Sequence, residues 1–391
     1  MRDTGAWPLP AGPFVFGALV PLVAASLYDF FSRPTLSMTR AFSIATAGLL
    51  LLGAVLALLW AGVDRRPPDV LERQTTYDAA PAPTDQDTFT AVTYNVGALA
   101  PASDGSDGGR SFGRVSTLLR EGQPDFVALQ EMTSGADRSG GSSRLDSLAR
   151  HLRAIVSAEA DRRPARLSSL LPGIGGSSPP SGQALLSRFP IRRHSRQPID
   201  RDSSSLWGRL VRPQSVVQVA VAGIGGWPLV LMNINIDAAE ASARIRQARA
   251  VNRFYRRVSR QGFGVLLLGS IRPARSAGTT VLSDDTRRAL LRGTSLQPAI
   301  FPESALISGR SVATYPAGDP SRKVDYIFYR PRRVVPTDAT IRCGDDPPPS
   351  DHCAVSLSFL LPRPVDKLPD TRIPDEKLPS LERLLTPEPG A

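Results

Sequence analysis

Several short apolar runs of this 391-residue chain end on side chains able to bind cations or move protons. Thr93–Val96 reads T-Y-N-V and closes on Asn95, and Ala128–Glu131 reads A-L-Q-E and closes on Glu131. Val324–Phe328 reads V-D-Y-I-F around Asp325, and Ser350–His352 sets a further carboxylate, Asp351, beside an imidazole, His352. Oxygen donors of this kind suit a hard cation such as Mg2+, which keeps several waters and needs only one or two carboxylates. A carboxylate against an imidazole fixes the ring's tautomer and favours its protonated form as charge develops. Two Cys cannot build a four-thiolate zinc site or a disulfide framework, and three His cannot build a histidine-rich metal cluster.

The elements that must position these residues are legible as β-branched, apolar runs. Thr90–Asn95, Phe126–Gln130, Gln183–Ser187, Val216–Val221, Leu229–Ile234, Val265–Leu268, Val324–Tyr329 and Val355–Leu360 each stop at polar or Gly/Pro residues, as strands do. Arg114–Glu121 and Arg144–Ile155 carry the i, i+3, i+4 apolar spacing of helices, and Ala238–Arg257 is a long, Arg-studded amphipathic segment. Many strands alternating with fewer helices predict one layered α/β domain over residues 89–360. Residues 65–88 turn polar and Pro-bearing and read as a linker. Residues 361–391 hold seven Pro and almost no apolar periodicity, which predicts an extended, disordered tail.

Two further blocks lie between the strand-end motifs: G-x-A-L-L-S-R-F-P-I over Gly182–Ile191, and T-Y-P-A-x-x-P from Thr314, leading through Arg322 and Lys323 to Asp325. In this order and spacing the five blocks resemble the endonuclease/exonuclease/phosphatase superfamily, across nearly all of residues 89–360. The resemblance implies an α/β four-layer sandwich, two mixed β-sheets face to face with helices outside and the site at one end of the sheets. It also implies a phosphoesterase site dependent on Mg2+ or Mn2+. Glu131 then matches the metal-binding glutamate, Asn95 the asparagine beside it, and Asp351 a further metal or water ligand. His352 matches the general base or phosphate-contacting histidine, and Asp325 the carboxylate that orients it.

Two motifs of that family are broken. Leu229–Asp237 reads L-V-L-M-N-I-N-I-D where N-T-H-L is usual, so Asn235 stands where a phosphate-contacting histidine is expected. Val265–Pro273 reads V-L-L-L-G-S-I-R-P where G-D-F-N is usual: Gly269 matches, Ser270 replaces the aspartate and Arg272 the asparagine. Together these two changes move the local charge by two units towards positive. At an effective dielectric near 20, each unit pair 4 Å apart is worth about 4 kcal/mol before screening. Ser cannot act as a general base without a neighbour to activate it, and Asn235 offers a hydrogen bond but no proton. Four readings stay open: a ligand-binding domain without turnover, a weak metal-dependent phosphoesterase, a nuclease whose missing roles are filled elsewhere, and a non-catalytic protein-interaction module.

The N-terminus points to a membrane. Ala41–Val63 is an uncharged segment of 23 residues bounded by Arg40 and Asp64. It is long enough as a helix to cross a hydrocarbon core of about 30 Å. A second apolar segment, residues 9–28, is interrupted by Pro10, Pro13 and Pro21, which membrane helices tolerate. Residues 1–64 are therefore expected to anchor the chain in the cell membrane, with the side occupied by the soluble domain left open. Cys343 and Cys353 stand ten residues apart and either bridge, as an oxidising compartment allows, or serve as two small residues near a strand.

The net charge of +11, from 47 basic and 36 acidic residues, does not by itself select a partner. Only Lys323, Lys367 and Lys377 are lysines, and residues 138–212 hold 14 Arg against 5 acidic residues. That segment suits anionic lipid head groups, or less readily a nucleic acid, since only Phe189 and Trp207 in it could stack on bases. A phosphate-bearing ligand, possible lipid among them, ranks ahead of DNA.

Overall fold

The structure is a computed structural model that describes residues 48, 52–53, 72–77, 88–97, 107–133, 144–154, 156–161, 181–199, 215–224, 227–238, 240–272, 285–300 and 312–362. Met1–Arg66 and Pro67–Ala391 are separate compact units. In the first, Gly48, Leu52 and Gly53 are described, each helical. The expected spans over 9–28 and 41–63 otherwise lie outside the described residues, as does the tail beyond residue 362. Among the described residues, no helix is long and apolar enough to cross a membrane.

The second unit is built on two mixed sheets. One contains β1 (Glu72–Thr76), β2 (Thr88–Asn95), β3 (Phe126–Thr133), β4 (Val156–Asp161), β5 (Ser181–Ser187), β12 (Val335–Arg342) and β13 (Ala354–Leu360). Its spatial order is β1-β4-β5-β3-β2-β13-β12. The other contains β6 (Ile191–Pro198), β7 (Val216–Ile224), β8 (Trp227–Ile236), β9 (Gly264–Ile271), β10 (Gln297–Pro298) and β11 (Asp325–Tyr329), in the order β10-β11-β9-β8-β7-β6. Each sheet holds one parallel pair at its centre, β2 with β3 and β8 with β9. A helix makes each parallel connection, α1 (Asp107–Glu121) in the first and α3 (Ala241–Arg260) in the second. The shorter helices are α2 (Arg144–His151) and α4 (Asp285–Leu291).

Side-chain alternation sorts these strands into three apolar cores. Phe89, Ala91, Phe126, Ala128, Leu229, Leu231, Leu266, Leu268 and Ile327 fill the space between the sheets. Their neighbours Val92, Tyr94, Val127 and Leu129 point the other way, against Val115, Leu119, Leu145 and Leu148 of α1 and α2. In the second sheet, Val230, Met232, Ile234, Val265 and Leu267 pack against Val251, Phe254, Tyr255 and Val258 of α3. Strands buried on both faces need such near-continuous apolar runs. The result is the expected four layers: helices, sheet, sheet, helices.

One boundary is corrected. Residues 72–76, read as linker, form β1, which pairs antiparallel with β4 from Glu72↔Ala160 to Thr76↔Val156. E-R-Q-T-T has no apolar alternation, so nothing but the backbone ladder to β4 marks it as a strand. The expected helix over 144–155 ends at His151, where Arg153 takes a positive φ of 54° and the chain turns into β4.

Candidate functional site

Parity along the central strands explains which side chains reach one end of the sandwich. Between the sheets, Ala91, Leu231 and Leu266 are followed on the same face by Thr93, Asn233 and Leu268, then by Asn95, Asn235 and Ser270. The inter-sheet core thus changes from apolar to polar towards the carboxyl ends of the parallel strands. A buried amide layer forms the step. Gln130 Nε2 donates to Asn233 Oδ1 (2.8 Å) and to Thr93 Oγ1 (3.0 Å), and Asn233 Nδ2 donates to Gln218 Oε1 (3.0 Å) and the Leu129 carbonyl (2.9 Å). This layer ties the two sheets together directly beneath the site.

Glu131 reaches the site through a break in that parity. Strict alternation from Phe126, Ala128 and Gln130 would turn Glu131 to the helix side. The β3–β5 ladder instead slips between Gln130 and Met132, and Glu131 takes a positive φ of 57°. A bulge of this kind re-aims a side chain, and a non-glycine residue in the left-handed region stores strain. The carboxylate is thereby brought to both parallel pairs at once: Asn95 Nδ2 and Asn235 Nδ2 each donate to Glu131 Oε1, both at 3.1 Å. Asn95 Oδ1 in turn accepts from the Gly97 N–H at 2.9 Å. Asn235 does not stand alone as a phosphate contact; its amide holds the glutamate.

The β11 end supplies the imidazole dyad. His352 Nδ1 donates to both oxygens of the fully buried Asp325, at 3.0 and 2.9 Å. That leaves Nε2 as the ring nitrogen available to a ligand. Burial is the largest single influence on His352 and disfavours its charge. The hydrogen bond and charge of Asp325, joined by the charges of Asp351 and Glu131, outweigh burial and raise its pKa above the usual value. Nearby Lys323 is drawn down to about 8 by burial, against the opposing pull of Asp325.

Asp351 is exposed and lies against the turn after β2: a Cβ on Gly97 would stand 3.1 Å from Asp351 Oδ1. Ser350 Oγ donates to the Asn95 carbonyl at 2.8 Å and accepts from the His352 N–H at 3.2 Å, which fastens the Ser-Asp-His turn to β2. From the other side, the Cys353 N–H donates to the Thr314 carbonyl (2.8 Å) and the Ala317 N–H to the Asp351 carbonyl (2.7 Å). The Tyr315 ring sits 4.8 Å from the His352 ring, with the Arg322 guanidinium 4.9 Å above Tyr315. Tyr315, Ser350 and Gly97 were not among the expected site residues, although the T-Y-P and S-D-H blocks contain two of them. Cys343 and Cys353 form a disulfide that closes the loop bearing Asp351 and His352.

The residues read as departures from the family pattern sit differently. Ser270 is buried in register between Asn235 on β8 and Asp325 on β11. Its place is enforced by Gly269, where an added Cβ would fall 1.9 Å from the Ile234 carbonyl oxygen. Arg272 lies two residues beyond Ser270. Its N–H donates to the Ile236 carbonyl at 2.8 Å, but its side chain is exposed and makes no hydrogen bond or ion pair with Glu131, Asp325, Asp351 or His352. The expected second positive charge is thus exposed to solvent.

Among the described residues, no three carboxylate, imidazole or thiolate groups gather as a ready metal cage. The donor set still fits Mg2+ or Mn2+ in the form that keeps most of its waters. Glu131 offers a carboxylate whose Oε1 accepts from both Asn95 and Asn235, and the exposed Asp351 stands beside Gly97.

The family model described as "Endonuclease/Exonuclease/phosphatase family" matches residues 92–352. No curated protein matches the chain. Among solved structures, an endonuclease/exonuclease/phosphatase from Beutenbergia cavernae is similar at TM-score 0.51 and 16% identity, over 71% of this chain and 72% of that one. One from Bacteroides vulgatus gives TM-score 0.50 and 13% identity, over 71% of this chain and 100% of that one. The human Nocturnin catalytic domain, with bound sulfate, gives TM-score 0.50 and 13% identity, over 76% of this chain and 100% of that one. At these identities the likeness is one of fold.

Proposed function

The chain belongs to the endonuclease/exonuclease/phosphatase family, and from that premise we propose that its domain binds a phosphate ester at the Glu131–His352 end of the sheets and hydrolyses it slowly. The observation that carries this reading is Ser270: it is buried between Asn235 and Asp325, where the family pattern has an acid, while the dyad beside it is intact. A serine there cannot take up a proton from water at neutral pH, so the attacking water lacks its polarising carboxylate. His352, held by Asp325 with its pKa raised, supplies a cationic or proton-donating Nε2 to a phosphate oxygen.

Asn95 and Asn235 hold the Glu131 carboxylate in place, and Glu131 with Asp351 would hold the Mg2+ or Mn2+ on which the family typically depends. Such an ion, when bound, neutralises phosphate charge and polarises the ester. We take the ester to be a phospholipid or similar head group, because the apolar segments 9–28 and 41–63 read as a membrane anchor. A nucleic-acid substrate has no comparable support.

The test is hydrolysis of a generic phosphodiester with and without Mg2+. Slow, metal-dependent turnover that Glu131→Ala abolishes is the expected result. Turnover unaffected by Glu131→Ala, or by metal removal, overturns the reading.

A further inference from the structure

Helix α3 contains seven arginines and no acidic residue. Two of the seven are used inside the fold: Arg244 Nη1 donates to the Ala238 carbonyl at 2.6 Å, and the Arg257 guanidinium lies 5.6 Å above the Phe254 ring. The other five, Arg246, Arg249, Arg253, Arg256 and Arg260, are all exposed. Their alternating spacings of three and four residues put them in one row, opposite the apolar stripe of Val251, Phe254, Tyr255 and Val258. At 1.5 Å per residue the row runs about 21 Å.

None of the five makes an ion pair with a described residue. Charges of one sign at these spacings repel, so the row opposes the helix that carries it. Just past the helix end, the Arg333 guanidinium lies 3.8 Å from the position a Cβ would take on Gly262. Among the described residues, the exposed large apolar side chains are Leu52 and Val335, so the row is flanked by no exposed aromatic ring.

We propose that this row is a docking surface for an anionic lipid bilayer. A plane of head-group phosphates meets a straight row of guanidinium groups whatever their spacing, and binding of this kind is coulombic, without insertion of apolar side chains. A single-stranded nucleic acid would call for stacking rings, which the row lacks. The apolar N-terminal segments, read as an anchor, would hold the domain beside such a surface. The inference does not depend on turnover at Glu131 and His352, and hydrolysis assays leave it untouched.

The test uses Pro67–Ala391, which contains both sheets and all three apolar cores. Its binding is measured by co-flotation with phosphatidylcholine vesicles, with and without about one-third phosphatidylglycerol. Binding is expected only to the anionic vesicles, and it should fall steeply from about 50 to about 500 mM salt. Arg249→Gln/Arg253→Gln/Arg256→Gln should weaken it by roughly 100-fold, about five-fold per arginine. The corresponding triple change to Lys keeps the charge and should keep the binding, which separates loss of charge from loss of fold. Equal binding to neutral vesicles, no binding to anionic ones, or full binding by the Gln variant overturns the proposal. So does tighter binding to a short DNA duplex than to anionic vesicles at the same salt.

Discussion

Ser270 and His352 set opposite limits on the chemistry of the site. If the missing acid is what slows turnover, Ser270→Asp should raise metal-dependent phosphodiester hydrolysis by about 10²–10⁴, the usual range for one general base. The same variant should be less stable without metal, because its carboxylate would be buried next to Asp325. For His352 the expected titration, followed by NMR of its imidazole, lies above the free value near 6.5. Asp325→Asn should bring it below that value, since burial would then act with less opposition. The raised pKa contributes stability that is complete below pH 6.5 and is lost as the pH rises through the folded-state value. Asn95 and Glu131 were readable because each closes an apolar run, and Asp325 and His352 because each stands at or just before the start of one. The bulge that turns Glu131 inward was not, since L-Q-E-M is compatible with a regular strand and only the cross-strand slip against β5 reveals the change. For the same reason Asn235 looked like an isolated replacement, whereas its partner lies 104 residues away on the other sheet.

At the scale of elements, the eight strands read from the sequence are all present and largely buried, with the outer face of β13 half-buried. The strands that escaped, β1, β4, β6, β10 and β12, carry polar or charged side chains or are very short, and lie towards the sheet edges. A strand there is specified by backbone pairing with its neighbour, which leaves little trace in composition. The β12–β13 hairpin adds a covalent link where the site loop leaves the sheet. Its disulfide spans ten residues, and a closed loop of that length is worth roughly 3 kcal/mol in the chain-entropy model. Cys343→Ser/Cys353→Ser should lower thermal stability by about that amount. It should also weaken metal binding measured by calorimetry, because Asp351 and His352 sit inside the loosened loop. Wild-type protein treated with a thiol reductant should match the variant.

For the whole molecule, the two sheets meet through apolar contacts over most of their area and through directed hydrogen bonds in one layer. That layer ends at His194: Gln218 Oε1 accepts from Asn233, so Gln218 Nε2 faces the His194 Nε2 at 3.1 Å and requires it unprotonated. Burial accordingly depresses the His194 pKa to about 4. The depressed value means stability is complete above pH 6.5 and is lost as the pH falls from 6.5 towards 4, because the unfolded chain takes up the proton first. Urea midpoints measured across that interval should fall, and His194→Gln should flatten the dependence. The amide layer has a further consequence. Apolar faces alone tolerate small translations of one sheet over the other, whereas Gln130, Asn233 and Gln218 satisfy one another in a single alignment. The sheets are therefore indexed to each other, and they are expected to exchange their amide hydrogens as one cooperative unit rather than as two leaves that part separately.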